Sequence, residues 1–227
     1  SLVGSEMCIR DRSYIYPYMD GDLNKLVPQV RRDILRMVHT VNSGHPGGSL
    51  GCVEFFVTLY KRVLKVDDNS DSNDMFILSN GHISPVYYST LARSGYFKVE
   101  ELDSFRKIDS RLQGHPTNHD NLPGINISSG SLGQGVSVGL GIALSKKLNN
   151  DDSLVYVLTG DGELQEGQNW EAFMFAAAKK VEKSKPIYIY CRSGNRSKKS
   201  SEKLKELGFV KIYDLEGGYK NWIIKSN

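Results

Sequence analysis

The most informative stretch of the sequence is residues 154–167, Leu154-Val-Tyr-Val-Leu-Thr-Gly-Asp-Gly-Glu-Leu-Gln-Glu-Gly167. An apolar run followed at once by glycine and aspartate predicts a buried strand that ends in a tight turn. A helix is predicted after the turn, over Glu166 to Lys180. Gly160 and Gly162 let the backbone approach a diphosphate group closely, and Asp161 supplies a carboxylate of the kind that binds Mg²⁺ beside phosphate oxygens. The alternative is an ordinary strand-to-helix turn, because aspartate and glycine favour turns in any context.

Strands and helices alternate along the rest of the chain. Further apolar runs predict strands over Met75 to Ser79, Pro186 to Tyr190 and Lys211 to Leu215. Helical periodicity predicts helices over Asn24 to Val41, Leu50 to Leu64, Pro85 to Arg93, Gly130 to Leu148 and Ser197 to Leu207. The alternation indicates an α/β fold with a mostly parallel sheet and helices on both faces. Ligands bind such sheets beyond the carboxyl ends of the strands, where we expect the loops Gly81-His82, Gly160 to Gly162 and Cys191 to Arg196. The long loop from Ile108 to Ser129 is expected to be either functional or disordered, as loops of that length inside compact domains usually are.

The composition restricts the class of protein. The chain has 227 residues, 39% of them hydrophobic and 24% charged, which is typical of a globular protein. Its formal net charge of +3 is small and scattered, so we expect no nucleic-acid partner. No apolar run is long enough to cross a membrane. The three cysteines lie far apart and offer neither a disulfide framework nor a metal-ligand spacing, which favours a reducing, cytoplasmic location.

Short motifs that follow one another in a fixed order point to a family. They read Ser43-Gly-His45-Pro-Gly-Gly48, Leu78-Ser-Asn-Gly81-His82, Gln113-Gly-His115-Pro116, Ser129-Gly-Ser-Leu-Gly133-Gln134-Gly135 and Gly160-Asp161-Gly162-Glu-Leu-Gln-Glu166-Gly167. This series resembles the N-terminal, thiamine-diphosphate-binding part of transketolases, especially forms encoded as two separate subunits. The resemblance covers residues 14–180, so we expect a truncated transketolase-like domain with a thiamine-diphosphate-binding fold there.

The resemblance implies thiamine diphosphate and Mg²⁺ as cofactors and sugar phosphates as substrates. The residues that it implies for catalysis are His45, His82, His115 and Glu166, the last also at a subunit contact. The residues that it implies for cofactor binding are His82, Gly133, Gln134, Gly135, Gly160, Asp161 and Gly162, with Asp161 as the metal ligand. The pyrimidine ring of the cofactor would be bound by a C-terminal transketolase subunit acting as partner, in a family whose members form homo-oligomers.

Plainer interpretations exist for the histidines and the glycines. A single loop histidine is explained equally well as a surface residue, but three such loops at one cleft favour a function, since imidazoles donate to phosphate and move protons near neutral pH. We interpret Gly133 and Gly135 as facing the ligand, and Gly139 and Gly141 as allowing close helix packing.

From residue 181 the resemblance to transketolases ends. The family continues into an Asp-Tyr-Asn segment whose asparagine completes the metal site, whereas this chain reads Tyr190-Cys191-Arg192-Ser-Gly-Asn-Arg196. That loop and the tail up to Trp222 resemble the C-terminal half of a rhodanese-like sulfurtransferase domain. The alternative function is therefore sulfur transfer with Cys191 as nucleophile, its thiolate stabilised by Arg192, Arg196 and the following helix N-terminus. A cysteine that merely ends a buried strand is the plainer interpretation.

Three hypotheses follow for the whole chain. Residues 14–180 form a transketolase-like portion that transfers two-carbon ketol units between sugar phosphates and is inactive alone; or residues 181–227 act as a sulfurtransferase; or the chain is a non-functional chimera of two gene fragments. Residues 1–13, which resemble a translated sequencing adapter, are expected to be a disordered leader. We expect residues 181–227 to complete the sheet of the first domain, because the strand at Pro186 to Tyr190 falls where the next transketolase strand would fall.

Overall fold

The chain alternates helices and strands as predicted. A computed structural model describes residues 23–67, 72–179, 187–189, 193–218 and 221, so the expected leader lies outside the described residues. The α-helices are α1 (Leu23–Val41), α2 (Pro46–Gly51), α3 (Val53–Thr58), α4 (Ser84–Arg93), α5 (Gly135–Leu148), α6 (Gly167–Ala178) and α7 (Asn195–Glu206). The strands are β1 (Met75–Leu78), β2 (Val155–Leu158), β3 (Ile187–Ile189) and β4 (Ile212–Asp214). In this part of the chain no helix is both long enough and apolar enough to cross a membrane.

Strands β1 and β2 form a parallel pair that is covered on both faces. They run in register along their full length. Successive side chains of each strand point to opposite faces of the pair, as in any strand. Phe76 joins the core formed with α1, α3 and α4. On the other face α5 packs so closely that a Cβ added at Gly139 would stand 2.5 Å from Val157 Cγ2. The α/β fold with helices on both faces is therefore confirmed, as is the packing role of Gly139, whereas a Cβ at Gly141 would meet nothing within 4 Å and the packing role predicted there is wrong.

The main core lies between α1, α3, α4 and β1. Its fully buried side chains include Val30, Ile34, Val53, Phe56, Tyr88 and Leu91. A buried ion pair joins two of the helices: Arg93 Nη2 donates to Asp33 Oδ1 over 2.9 Å, and Ser89 Oγ donates to Asp33 Oδ2 over 2.8 Å. Because only 5% of the Asp33 side chain is exposed, this network fixes α4 against α1.

Two predicted helices have different bounds in the structure. The helix predicted from Leu50 to Leu64 is divided at Cys52, whose φ of −109° and ψ of 5° leave the helical range, and it ends in a wider π-helical turn over Leu59–Val63. The helix predicted from Gly130 begins only at Gly135. The reason is conformational: Gly130 and Gly133 have φ values of +136° and +85°, which a right-handed helix does not contain.

The C-terminal strands form a second sheet. Strand β3 pairs in parallel with β4, and among the described strands neither is hydrogen-bonded to β1 or β2. The single continuous sheet that we predicted is therefore wrong for the described strands. The physical reason is that the three-residue β3 pairs with β4 and directs Ile189 into a separate apolar cluster with Ala176, Leu204 and Phe209. Through this cluster Ile189, Leu204 and Phe209 pack against α6.

Candidate functional site

Two of the three predicted loops leave the carboxyl edge of β1 and β2. Strand β1 leads directly into Ser79-Asn80-Gly81-His82, with a short 3-10 turn over Gly81–Ile83. Strand β2 leads into Thr159-Gly160-Asp161-Gly162 and a second 3-10 turn over Glu163–Gln165. Because the strands are parallel and in register, both loops leave the same edge of the sheet.

A buried carboxylate joins these two loops to a third. Glu163 Oε1 accepts from the Gly133 amide over 2.9 Å and from the Ser79 hydroxyl, while Glu163 Oε2 accepts from the Gly160 amide over 2.9 Å. The Ser79 hydroxyl oxygen in turn accepts from the Gly135 amide over 3.0 Å. Glu163 is 2% exposed. We call this set of Glu163, Ser79, Gly133, Gly135 and Gly160 the Glu163 clamp.

The clamp occupies backbone groups that we had assigned to a ligand. The amides of Gly133 and Gly135 donate within the protein, and a Cβ on Gly135 would overlap Ser79. The side-chain amide of Gln134 forms a reciprocal pair with that of Gln168, at 2.9 and 3.0 Å. In this conformation the glycine-rich loop shapes the site, and its Gly133 and Gly135 amides are not free donors to a diphosphate.

The three predicted histidines lie near one another. The rings of His45 and His82 are 5.1 Å apart between centroids, edge to face. The ring of His115 lies against Gly130, where an added Cβ would stand 2.6 Å from His115 Cδ2. Burial lowers the pKa of His82, and the positive charges that His45 and His115 can carry lower it further. Burial lowers the pKa of His115 as well, followed by the charge of Arg106 and then of His45.

A cavity of about 440 Å³ opens beside His115. It is lined by Val41, Ser43, Arg106, Gln113, Gly114 and His115. Arg106 Nη1 donates to Ser43 Oγ over 2.9 Å, while its buried Nε has no hydrogen-bond partner among the described residues. The wall from Gln113 to His115 is fixed on α4, because Tyr88 donates to the Gln113 carbonyl over 2.9 Å and Ser84 to the Gly114 carbonyl over 2.8 Å. This part of the predicted long loop therefore forms an ordered wall with one cationic side chain.

The proposed metal ligand Asp161 is already paired with a cation. Arg196 Nη2 contacts Asp161 Oδ2, and the two side chains are 49% and 35% exposed. Within the described ranges no three side chains of histidine, cysteine, aspartate or glutamate come together as a metal site. The surroundings nevertheless fit a diphosphate with Mg²⁺, since an added Cβ at Gly162 would meet nothing within 4 Å and the buried Asn80 Oδ1 lacks a partner among the described residues. A single carboxylate is enough when phosphate oxygens complete the shell of Mg²⁺.

Of the remaining predicted residues, some lie within the described part of the chain and others do not. Glu166 is exposed at the start of α6, and its Cβ would stand 2.9 Å from one added at Gly133. Cys191 and Arg192, the proposed sulfurtransferase residues, lie outside the described residues. Arg196, the third member of that set, faces Asp161 instead.

Sequence reasoning missed Glu163, Ser79 and Arg106. Glu163 follows Gly-Asp-Gly, where a charged residue is typical of an exposed turn, and no periodic pattern marked it as buried. The sequence predicts Ser79 only as the last residue of a strand. A usable signal was the amide-rich glycine loops themselves, because buried backbone donors need an acceptor. Arg106 has a φ of +56°, a conformation that its sequence does not reveal.

A family model matches this chain over most of its length. The model described as "Transketolase, thiamine diphosphate binding domain" covers residues 23–193. The match passes the boundary that we predicted at residue 180 and includes Cys191, so the predicted end of the transketolase-like region is too early.

Individual relatives agree with the family model. The chain is 39% identical over 165 residues to one subunit of the apulose-4-phosphate transketolase of Actinobacillus succinogenes, covering 71% of this chain and 59% of the relative. It is 36% identical over 164 residues to the SqwG subunit of the 6-deoxy-6-sulfo-D-fructose transketolase of a Clostridium species, with the same coverage of 71% and 59%. Among solved structures, transketolase from Campylobacter jejuni superposes with a TM-score of 0.68 at 27% identity, covering 85% of this chain and 37% of that one. The chain thus spans about 59% of these curated relatives. By motif, fold and family model, this chain belongs to the transketolase family, as its N-terminal, thiamine-diphosphate-binding domain.

Proposed function

We propose that this chain is the diphosphate-binding portion of a transketolase that transfers two-carbon ketol units between sugar phosphates, in the cytoplasm and with Mg²⁺ as the metal. The observation that carries the proposal is the junction at the carboxyl edge of β1 and β2. There the Glu163 clamp connects three loops that match the family motifs, and His82 follows one of them directly. Parallel sheets bind their ligands at this edge.

The residues at this edge have separable roles in the proposed reaction. Thiamine diphosphate, when bound, supplies the carbon nucleophile that cleaves the ketose. Asp161 would hold Mg²⁺, and the turn from Gly160 to Gly162 would let the diphosphate approach. His82 and His115 have lowered pKa values, so near neutral pH they are mostly neutral imidazoles that can both donate to and accept from sugar hydroxyls.

The cavity beside His115 suits an anionic sugar. Its volume of about 440 Å³ is within the range of small-molecule binding sites, and its wall carries the guanidinium of Arg106. Arginine matches the geometry of a phosphate group. These features support a sugar phosphate over a neutral sugar.

We propose that the partner is a second subunit that binds the pyrimidine ring, in an assembly containing more than one copy of each chain. The apulose-4-phosphate transketolase relatives from Actinobacillus succinogenes and Phocaeicola vulgatus are each named as one subunit of the enzyme rather than as the whole. In this chain α5 and α6 expose apolar side chains, with Val138 40%, Met174 59% and Phe175 48% exposed. The exposed Glu166 begins α6. Exposed apolar side chains beside a predicted subunit contact are expected where another protein surface covers them.

Calorimetry with thiamine diphosphate and Mg²⁺ tests the proposed site. We expect weak but measurable binding, which Asp161→Ala abolishes and which the exposed control Asp152→Ala leaves unchanged. Binding that survives Asp161→Ala would refute the metal assignment. The purified chain alone is expected to transfer no ketol unit from xylulose 5-phosphate to ribose 5-phosphate. Transfer is expected only after its pyrimidine-binding partner is added.

A further inference from the structure

We propose that Glu163 is the positioning residue of the diphosphate site, acting through the backbone of the loops rather than by touching the cofactor. This inference rests on the proposed function. In the Glu163 clamp one carboxylate ties together the loop after β1, the loop before α5 and the turn after β2. The relative placement of these three loops therefore depends on one side chain.

The carboxylate matches the donors around it. Two backbone amides and a hydroxyl converge on its two oxygens, and a carboxylate accepts at both oxygens without presenting a donor. Burial of Glu163 to 2% exposure would be costly without these charge-assisted hydrogen bonds. The short turn that carries Glu163 is itself held on α6, because Asn169 Nδ2 donates to the Glu163 carbonyl over 2.6 Å and Trp170 Nε1 to the Leu164 carbonyl over 2.8 Å.

Electrostatics exclude a direct role for Glu163 as a ligand of the diphosphate. A buried carboxylate beside an anionic group would repel it, and the donors that could relieve the repulsion are already engaged. The contribution of Glu163 is to fix Gly160 next to Asp161, and to fix Gly133 and Gly135 at the start of α5. The start of α5 is thereby held next to the loop that follows β1, at the edge of the sheet where the diphosphate is proposed to bind.

Glu163→Gln tests this role with almost no change in size. The side-chain amide offers one acceptor and one donor group, so either the Gly133 or the Gly160 amide must lose its acceptor. We expect the dissociation constant of thiamine diphosphate with Mg²⁺ to rise by roughly 10- to 100-fold. This is the range measured for residues that orient metal-binding groups without contacting the metal themselves. Glu171→Gln makes the same substitution on an exposed position of α6 and should leave binding unchanged.

A control variant with lowered stability distinguishes a role in cofactor binding from a general effect on folding. Asp33→Asn weakens the α1–α4 contact away from the clamp, so it should lower the melting temperature without changing the dissociation constant. Ser79→Ala removes the hydroxyl that links Glu163 to the Gly135 amide, leaves both glycine amides bonded to Glu163, and serves where Glu163→Gln does not fold. It should raise the dissociation constant by about 2- to 10-fold, because the Gly135 amide is left without an acceptor.

Amide hydrogen exchange measured without cofactor tests the clamp independently. The Gly133 and Gly160 amides should be protected in the wild-type chain, and at least one of them should lose that protection in Glu163→Gln but not in Asp33→Asn. Unchanged exchange at both glycines would overturn the clamp, and so would clamp variants that bind thiamine diphosphate as tightly as the wild type. Protected amides in a wild-type chain that binds no thiamine diphosphate would instead refute the proposed function, and with it the cofactor role of Glu163.

Discussion

Replacing Arg196 with glutamine is expected to tighten Mg²⁺ binding. In the structure the guanidinium of Arg196 contacts Asp161, the single carboxylate proposed to hold the metal. A metal ion that binds Asp161 competes with this cation, because Arg196 already contacts one oxygen, Oδ2, of the same carboxylate. Arg196→Gln removes the competitor and leaves the carboxylate available.

The size of the effect follows from the exposure of the pair. With 49% of the Arg196 side chain and 35% of the Asp161 side chain exposed, solvent screens the attraction, and such pairs contribute about 0.2 to 1 kcal/mol. Converted at about 1.4 kcal/mol per tenfold, the dissociation constant of Mg²⁺ should fall by about 1.4- to 5-fold. The difference between wild type and variant should shrink as salt is raised, because salt weakens exposed ion pairs.

Calorimetric titration of Mg²⁺ at a fixed concentration of thiamine diphosphate measures this directly. Arg111→Gln is the matched control, since Arg111 forms a comparably exposed pair with Glu101 in another part of the chain. Weaker Mg²⁺ binding in Arg196→Gln would refute the competition argument. That result would mean that the guanidinium holds the diphosphate, a contact for which arginine is equally suited.

Three further predictions concern the fold and the histidines. Asp33→Asn should lower the free energy of unfolding in urea by about 3 kcal/mol, because it leaves the Arg93 guanidinium, 19% exposed, without a counter-charge; a loss below about 1 kcal/mol would contradict this. The lowered pKa values of His82 and His115 mean that the unfolded chain binds more protons, so stability is intact above about pH 6.5 and falls as the pH drops below it. The melting temperature of the double variant with glutamine at both positions should depend less on pH between 7.5 and 5, and an unchanged slope would refute the assignment. Gly139→Ala should destabilise by about 1 to 3 kcal/mol through overpacking on β2, whereas Gly141→Ala should stabilise by up to about 1 kcal/mol; equal effects would refute the packing described for α5.

Much of the fold was predictable because its signals are local. The apolar runs around Met75 and Val155 could be buried only as strands, and the four-residue spacing in α1 placed that helix to within one residue at its start. The division of the second helix at Cys52 was not predictable, because the residues on either side continue a helical pattern. The pairing of β3 with β4 was equally hidden, since strand partners depend on contacts between distant segments.

The candidate site was predicted by motif rather than by contact. The glycine and histidine motifs correctly named loops that meet at one edge, because carboxyl ends of parallel strands share that edge. They did not reveal which atoms are free. Gly133 and Gly135 are predicted to face the ligand, yet their amides donate to Glu163 and Ser79. A motif specifies residue types, whereas hydrogen-bond partners are determined only once the chain is folded.

The described C-terminal residues pack in one apolar cluster with α6, a helix that lies within the family match. The rings of Phe173 in α6 and Phe209 lie 6.4 Å apart between centroids, and Ala176 shares one apolar cluster with Ile189 and Leu204. This cluster therefore takes residues from both sides of the boundary predicted at residue 180, and neither side would bury its apolar surface without the other. The same segment provides the cation that pairs with the proposed metal ligand, from a position beyond the end of the family match at residue 193. We therefore expect the metal affinity of the proposed site to depend on a residue outside the family match, and not on the shared motifs alone.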